Sequence, residues 1–394
     1  MRELDAALAA ELTALEAAHR YRRRRTVEAR VPGTARVQMN GRETLAFCNN
    51  DYLGLADHPA VTEAFIAAAR RWGVGSGASH LVSGHCAEHH ALEEELAAFT
   101  GRPRALLFST GYMANLAVGA ALLTRADRVL EDRLNHASLI DAGLATGADF
   151  ARYPHGDAAE LARRLAVAHP GHTLVATDAV FSMDGDVAPL RELAQLCSRA
   201  GAWLFVDDAH GFGVLGASGG GSVEAAGLRP EEVPVLMCTL GNAVGTFGAF
   251  VAGSDTLVES LIQHGRTYIF TTALPPAVAA ATRAALRVMQ EESWRRERVL
   301  AHARTFAAAA RDLGLRLMPS QTPIQPIVLG SEAAALAASR ALLDQGLWVP
   351  AIRPPTVPAG SSRLRVTFSA AHSQADVAQL IDSLGRLMRD GVLS

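Results

Sequence analysis

The sequence predicts an α/β protein: a mostly parallel sheet flanked by helices, with a smaller α+β C-terminal domain. Three observations predict it. From about residue 58 to 275, helical stretches alternate with short apolar runs, as parallel strands joined by helical crossovers require. Polar residues gather where those runs end, the place where open α/β sheets bind ligands. From about 278 the text changes to long Ala- and Arg-rich helices and two isolated strand-like pieces.

The elements follow in order. Residues 3–20 carry apolar side chains at helical spacing and end in the arginines of 22–25, which predicts an amphipathic helix. Turn signals at Pro32-Gly33 and Asn40-Gly41 mark an extended arm up to about residue 45. A large domain is expected over 46–277, with helices near 59–71, 88–99 and 188–200. Its expected strands lie at 105–109, 173–177, 202–206, 233–238 and 249–252. The small domain, 278–394, combines helices over 278–312, strands at 324–329 and 364–368, and a closing helix over 375–390.

Composition narrows the function. With 394 residues, 49% of them hydrophobic and 20% charged, the chain sits near the globular average, which excludes collagen, coiled coil and disorder. No apolar run approaches the roughly 18–20 residues of a membrane span; the longest, 114–123, is ended by Thr124-Arg125. The first residues place acids inside the apolar stretch and the basic cluster after it, the reverse of a secretory signal. A net charge of −3 provides no global field for nucleic acid. Cys48, Cys86, Cys197 and Cys238 lie far apart without a CxxC pair, which suits a reducing compartment. The expectation is a soluble cytoplasmic protein that binds neither nucleic acid nor membrane. One count is sharper: all 37 basic residues are arginine. No chemistry that needs a lysine amine is open to this chain.

Several motifs admit two readings. GVGSGA at 73–78 fits a dinucleotide fingerprint, but a helical stretch rather than a strand precedes it; a loop that lets backbone approach a ligand or second subunit fits better. GASGG at 216–220 fits the nucleophile elbow around Ser218, yet lacks the strand before and the helix after. His85, His89, His90 and Cys86 suggest a metal, but without an HExxH pattern they read as helix-start and interface residues, and no metal is expected. The arginines at 22–25 are either a solvated helix end or a grip on an anionic substrate. FVDDAHG at 205–211 is more specific. An acid ends a buried strand and a histidine follows three residues later, which allows a carboxylate to pair with a protonated heterocyclic nitrogen while the imidazole reaches a phenolic oxygen of the same ring.

These pieces come together in one resemblance. NDYLGL (50–55), GSGASHLVSGHCAEHHALEEELA (75–97), FSTGYMANLAV (108–118), NHASLIDA (135–142), VFSMDGDVAPL (180–190), VDDAHGFGVLG (206–216), TLGNAVGTFGAFVAG (239–253) and FTTALPP (270–276) resemble the α-oxoamine synthases. These are pyridoxal-phosphate enzymes of fold type I, the aspartate-aminotransferase type. AIRPPTVPAGSSRLRVTFSAAH at 351–372 is similar to the biotin-pathway branch, which condenses L-alanine with a pimeloyl thioester of CoA or acyl carrier protein. The resemblance implies roles. Gly111 and Tyr112 would hold the cofactor phosphate, with Thr239 adding a hydroxyl and Thr272 arriving from a partner subunit of a homodimer. His136 would stack on the ring, Asp207 would keep its nitrogen protonated, and His210 and Ser182 would contact its phenolic oxygen. Arg353 would clamp the alanine carboxylate, while Arg22, Asn50 and Thr356 would line the acyl channel.

The resemblance breaks at one position. The family's Schiff-base lysine ends a TLGK string, and this chain has Asn242 there. An amide neither forms that linkage nor acts as a base near neutral pH. The expectation is a chain that folds, holds the cofactor noncovalently and turns over very slowly. A non-catalytic cofactor-binding protein and a sister synthase with another amino acid or thioester are the alternatives.

Overall fold

The computed structural model describes residues 2 to 393, which form two compact units. The larger, Asn50–Ser182 with Asp186–Glu297, is built on seven strands: β1 (Arg104–Phe108), β2 (Arg128–Asp132), β3 (Asp149–Tyr153), β4 (Thr173–Asp178), β5 (Trp203–Asp207), β6 (Val235–Thr239) and β7 (Ala249–Gly253). Their order is β1-β7-β6-β5-β4-β2-β3. Only β7 runs antiparallel, to both of its neighbours. β4 and β7 are buried along their whole length, which explains why they read as continuous apolar runs rather than alternating ones.

The sequence did not reveal β2 and β3. RVLED carries charges at three of its five positions and DFARY at two, yet β2 is wholly buried. Arg128 is satisfied there by Thr173 Oγ1 (3.1 Å) and the carbonyls of Arg164 and Val167. These partners lie far away in sequence, so no local pattern announces them.

The helix Gly111–Leu122 is apolar nearly all round because it is covered on several sides; it packs against the helix Ala137–Thr146 and β-sheet residues Phe108, Val235 and Met237. Gly119 permits that approach, since a Cβ there would meet the Ala142 carbonyl at 2.9 Å. The helices Pro59–Trp72 and Pro276–Glu291 pack against each other.

The smaller unit comprises the residues up to Asn49, Met183–Gly185, and those from Arg298 onward. Leu347–Trp348 pairs in parallel with Arg42–Ala46, so the arm joins C-terminal residues in one sheet. A second sheet orders Ile324–Gly330, Ser362–Thr367 and Ala351–Ile352, all antiparallel. Phe47, Phe306, Phe368 and the buried His372 form the aromatic core, with Phe47 stacked on His372 at 4.4 Å. Compactness therefore divides the chain after Asn49 and Glu297, with the arm and C-terminal part united, where the sequence suggested three segments cut at 45 and 277. The expected run of helix over 278–312 is two helices, Pro276–Glu291 and Trp294–Asp312. The first helix stops at Ala17.

Candidate active site

The loops after β1, β2, β4, β5 and β6 surround one cavity of about 240 Å³ in the large unit. Of the residues singled out in the sequence, Asn50, Gly111, Tyr112, His136, Ser182, Asp207, His210, Thr239 and Asn242 all line it.

Asp207 ends β5 and is 4% exposed. Its Oδ2 accepts from Asn115 Nδ2 at 2.8 Å and its Oδ1 from the Ala209 N–H at 3.0 Å. Burial pushes its carboxyl up, against the pull of those donors and of nearby His136. Asp178 sits opposite in register on β4. Burial and then the neighbouring Asp207 charge hold it well above the usual carboxylate range, although the His136 N–H donates to it at 3.0 Å. Two adjacent buried acids disfavour double ionisation. Among the described residues no basic nitrogen lies within ion-pair distance of Asp207, so the cavity's floor is deficient in positive charge.

A chain of hydrogen bonds continues outward. Asn115 Nδ2 also donates to Ser138 Oγ at 2.8 Å, and that hydroxyl meets His136 Nδ1 at 2.7 Å. The Ser138 N–H donates to the same ring nitrogen. Nδ1 is therefore the acceptor, which puts the His136 proton on Nε2. His136 also caps the helix Ala137–Thr146, which fixes its backbone at the cavity wall. On the opposite side His210 Nδ1 meets the Tyr52 hydroxyl at 2.8 Å and Asn242 Nδ2 at 3.4 Å. The Asn242 amide is held by donating to the Ala209 carbonyl at 2.8 Å. Within DDAHG the second acid is structural: Asp208 accepts from the Ser222 N–H and hydroxyl. A Cβ at Gly211 would lie 2.1 Å from Asp208 Oδ1, so that position must be bare.

The phosphate end of the cavity follows from local sequence. Thr110 caps the helix Gly111–Leu122 through its side chain, accepting from the Met113 N–H. The opening N–H groups of Gly111 and Tyr112 have no carbonyl within the helix to bond, and the helix dipole favours an anion there. Thr239 Oγ1 accepts from the Gly241 N–H and donates to the Gly248 carbonyl at 3.2 Å. The Tyr112 hydroxyl bonds Asp141.

The other candidates lie elsewhere. Thr272 is absent from the cavity lining; its carbonyl accepts from Ser109 Oγ at 3.4 Å and its backbone bridges to Ser79. Arg22, Arg353 and Thr356 belong to the small unit. Arg22 donates to Thr356 Oγ1 at 3.3 Å, and Arg353 donates to the carbonyls of His19 and Tyr21.

Comparison with known proteins now decides the family. The family described as Aminotransferase class I and II matches residues 42–384. The chain is 60% identical to 8-amino-7-oxononanoate synthase of Cellvibrio japonicus (strain Ueda107), over 98% of this chain and 96% of that protein. It belongs to the 8-amino-7-oxononanoate synthase family. Its fold matches a structure of SPT with PLP at TM-score 0.93 (31% identity, 98% of each chain). It also matches 8-amino-7-oxononanoate synthase from Francisella tularensis at TM-score 0.77 (28% identity, 89% of this chain, 99% of that one). The fold is accordingly fold type I, and the cofactor is pyridoxal phosphate. The residues fit it: a buried acid facing the cavity without a cation suits a protonated ring nitrogen, and a helix N-terminus suits a phosphate.

The remaining motifs have other work. GVGSGA follows the end of the helix Pro59–Trp72. Ser218 sits in a loop whose N–H and hydroxyl both bond Glu224. His89 accepts from the Cys86 N–H and meets the Leu274 carbonyl at 2.7 Å through Nε2. Sequence reasoning missed Asn115, Ser138, Tyr52 and His155. Only His155, in YPHGD before a helix, had a local signal; the others are ordinary interior residues until the strands align.

Proposed function

We propose that this chain is built for the 8-amino-7-oxononanoate synthase reaction of biotin biosynthesis. L-alanine condenses with a pimeloyl thioester of CoA or acyl carrier protein, releasing carbon dioxide and the free thiol. One observation carries the reading: Tyr112, His136, Asp207, His210 and Thr239 converge on one cavity in a chain this similar to a protein of that name. The bound cofactor supplies an electron-withdrawing ring that stabilises negative charge on the substrate carbon.

The chain's residues do the rest. The Gly111 and Tyr112 N–H groups would anchor the phosphate, and the Thr239 hydroxyl would join them by turning from the Gly248 carbonyl. Asp207, aligned by Asn115, would keep the ring nitrogen protonated, and would lose part of its repulsion with Asp178 by doing so. His136, its orientation set by Ser138, would stack on the ring. His210, aligned by Tyr52, and Ser182 bind the phenolic oxygen. Arg353 binds the alanine carboxylate, and Arg22, Asn50 and Thr356 guide the acyl group. Thr272 completes the phosphate site of a partner copy, so the working unit is a homodimer.

Asn242 supports a second reading, a protein that holds the cofactor without turning over. It stands where the family's amine stands, and an amide neither attaches the cofactor nor takes the alanine α-proton. Loss of a general base alone costs about 10²–10⁴ in rate. The test compares this chain with Asn242→Lys for cofactor-dependent visible absorbance and alanine-dependent thiol release from pimeloyl-CoA. Both signals are expected to rise in the variant. If neither does, the assignment of position 242 is overturned; if the parent already matches the variant, the loss ascribed to the amide is overturned.

A further inference from the structure

The histidines that stand out in the sequence at 85, 89 and 90 gain a companion in the fold, His80. Residues His80–Gly84 form a single π-helical turn, closed by the Gly84 N–H donating to the Ser79 carbonyl at 2.9 Å. Gly84 permits it, since a Cβ there would lie 2.1 Å from the Ala78 carbonyl oxygen. Such a turn sets residues five apart side by side, and single π turns recur at functional sites. Here it brings His80 against His85, with their Nδ1 atoms 3.0 Å apart. His89, in the first turn of the helix Ala87–Phe99, closes the group. One ring nitrogen from each of the three lies within 4.8 Å of those of the other two.

The rings are held in place from outside the group. His89 is fully buried, and its Nε2 bears the proton, because it donates to the Leu274 carbonyl at 2.7 Å. Its lone pair is therefore on Nδ1, which accepts from the Cys86 N–H at 3.1 Å. Donation of the far N–H to a backbone carbonyl is how metal-bound imidazoles are oriented. His80 is stacked on the Tyr268 ring, with centroids 4.9 Å apart. Burial, reinforced for His80 and His85 by neighbouring rings, lowers all three, His80 to about 3. They are neutral near pH 7, the state in which imidazole binds a metal. Two nitrogen ligands of a tetrahedral zinc stand about 3.3 Å apart, close to the separation that His80 and His85 already have.

We infer that His80, His85 and His89 bind zinc(II) through one nitrogen each, with water in the fourth position. The inference stands without the proposed function. The cation replaces the hydrogen bond between His80 and His85, whose proton moves to Nε2 of its own ring, so none is released. It takes the His89 lone pair from the Cys86 N–H. Bound there, it clips the 79–85 segment beside residues 272–274, to which the chain is already joined by the Ser79–Thr272 bridge and the Ala273 N–H donating to the Ala78 carbonyl.

The experiment is equilibrium competition for zinc(II) between the metal-free full chain and a chromogenic chelator, with magnesium as the oxygen-preferring control. Saturable zinc binding that withstands the chelator is expected, without magnesium binding. His80→Gln and His85→Gln should each bind zinc at least about tenfold more weakly, since even loss of an outer-shell partner costs about 10–100-fold. His80→Cys should bind nearly as the parent does, because a thiolate is also a zinc ligand; it separates a lost ligand from a damaged fold. His90→Gln, which would weaken a competing site made of His85, His90 and Glu93, should leave the affinity unchanged. Absence of chelator-resistant zinc overturns the inference, as does binding that His80→Gln leaves intact. So does a His80→Cys chain as weak as His80→Gln, or a loss in His90→Gln equal to that in His80→Gln.

Discussion

Asn115 is fully buried and uses both amide hydrogens, one on Asp207 and one on Ser138. It thereby sets two cavity-lining residues at once, the Asp207 carboxylate and, through Ser138, the tautomer of His136. Removing it leaves two buried acceptors short of a donor. Asn115→Ala is expected to cost about 1–3 kcal/mol of stability and to weaken pyridoxal phosphate binding, measured by urea unfolding and cofactor titration. Unchanged cofactor affinity would show that Asp207 needs no alignment. Asn242 illustrates the opposite dependence: its amide is satisfied by the Ala209 carbonyl, but an amide does not form the linkage that a lysine amine forms.

At the scale of elements, the turn that carries Ser182 is pinned by an ion bridge. The Phe181 N–H donates to the Asp186 carbonyl at 3.0 Å. His155, beyond the end of β3, lies between Asp132 Oδ1 at 3.0 Å and Asp186 Oδ2 at 2.9 Å. Burial alone pulls the imidazole down, but the two carboxylates outweigh it and raise His155 from 6.5 to about 10. The folded state therefore binds this proton more tightly than the unfolded chain. The resulting stability is complete below pH 6.5 and is lost as pH climbs through about 10. His155→Gln is expected to be less stable than the parent at pH 6, with the gap closing towards pH 10, as read by urea unfolding across that range. A gap independent of pH would mean that His155 acts by packing alone.

For the whole molecule, the absence of lysine makes cofactor retention an equilibrium property. Ligand that binds only the folded chain stabilises it by RT ln(1 + [L]/Kd), about 2.7 kcal/mol at a hundredfold excess over Kd. The Tm of the parent should rise with free pyridoxal phosphate and return to the apo value on dialysis, while dialysed Asn242→Lys should keep its gain. A parent that retains its raised Tm after dialysis would contradict noncovalent holding. Much of this architecture was legible in the text. The apolar runs that became β1, β4, β5, β6 and β7, and the polar groups at their ends, follow from burial on both sheet faces and loops at one edge, which any chain with this periodicity must satisfy. β2 and β3 were not legible, because charged residues interrupt both segments and the groups that satisfy the buried Arg128 come from distant positions. Nor were Asn115, Tyr52 and the Asp178–Asp207 pairing, since a hydrogen bond across 92 or 158 positions has no local pattern. The sequence by itself determined the fold class, the loops that carry chemistry and the missing amine, all properties of residue type and spacing. Tertiary structure alone decided which side chains meet, because strand order and register, not chain order, set the distances at which charge and hydrogen bonding act.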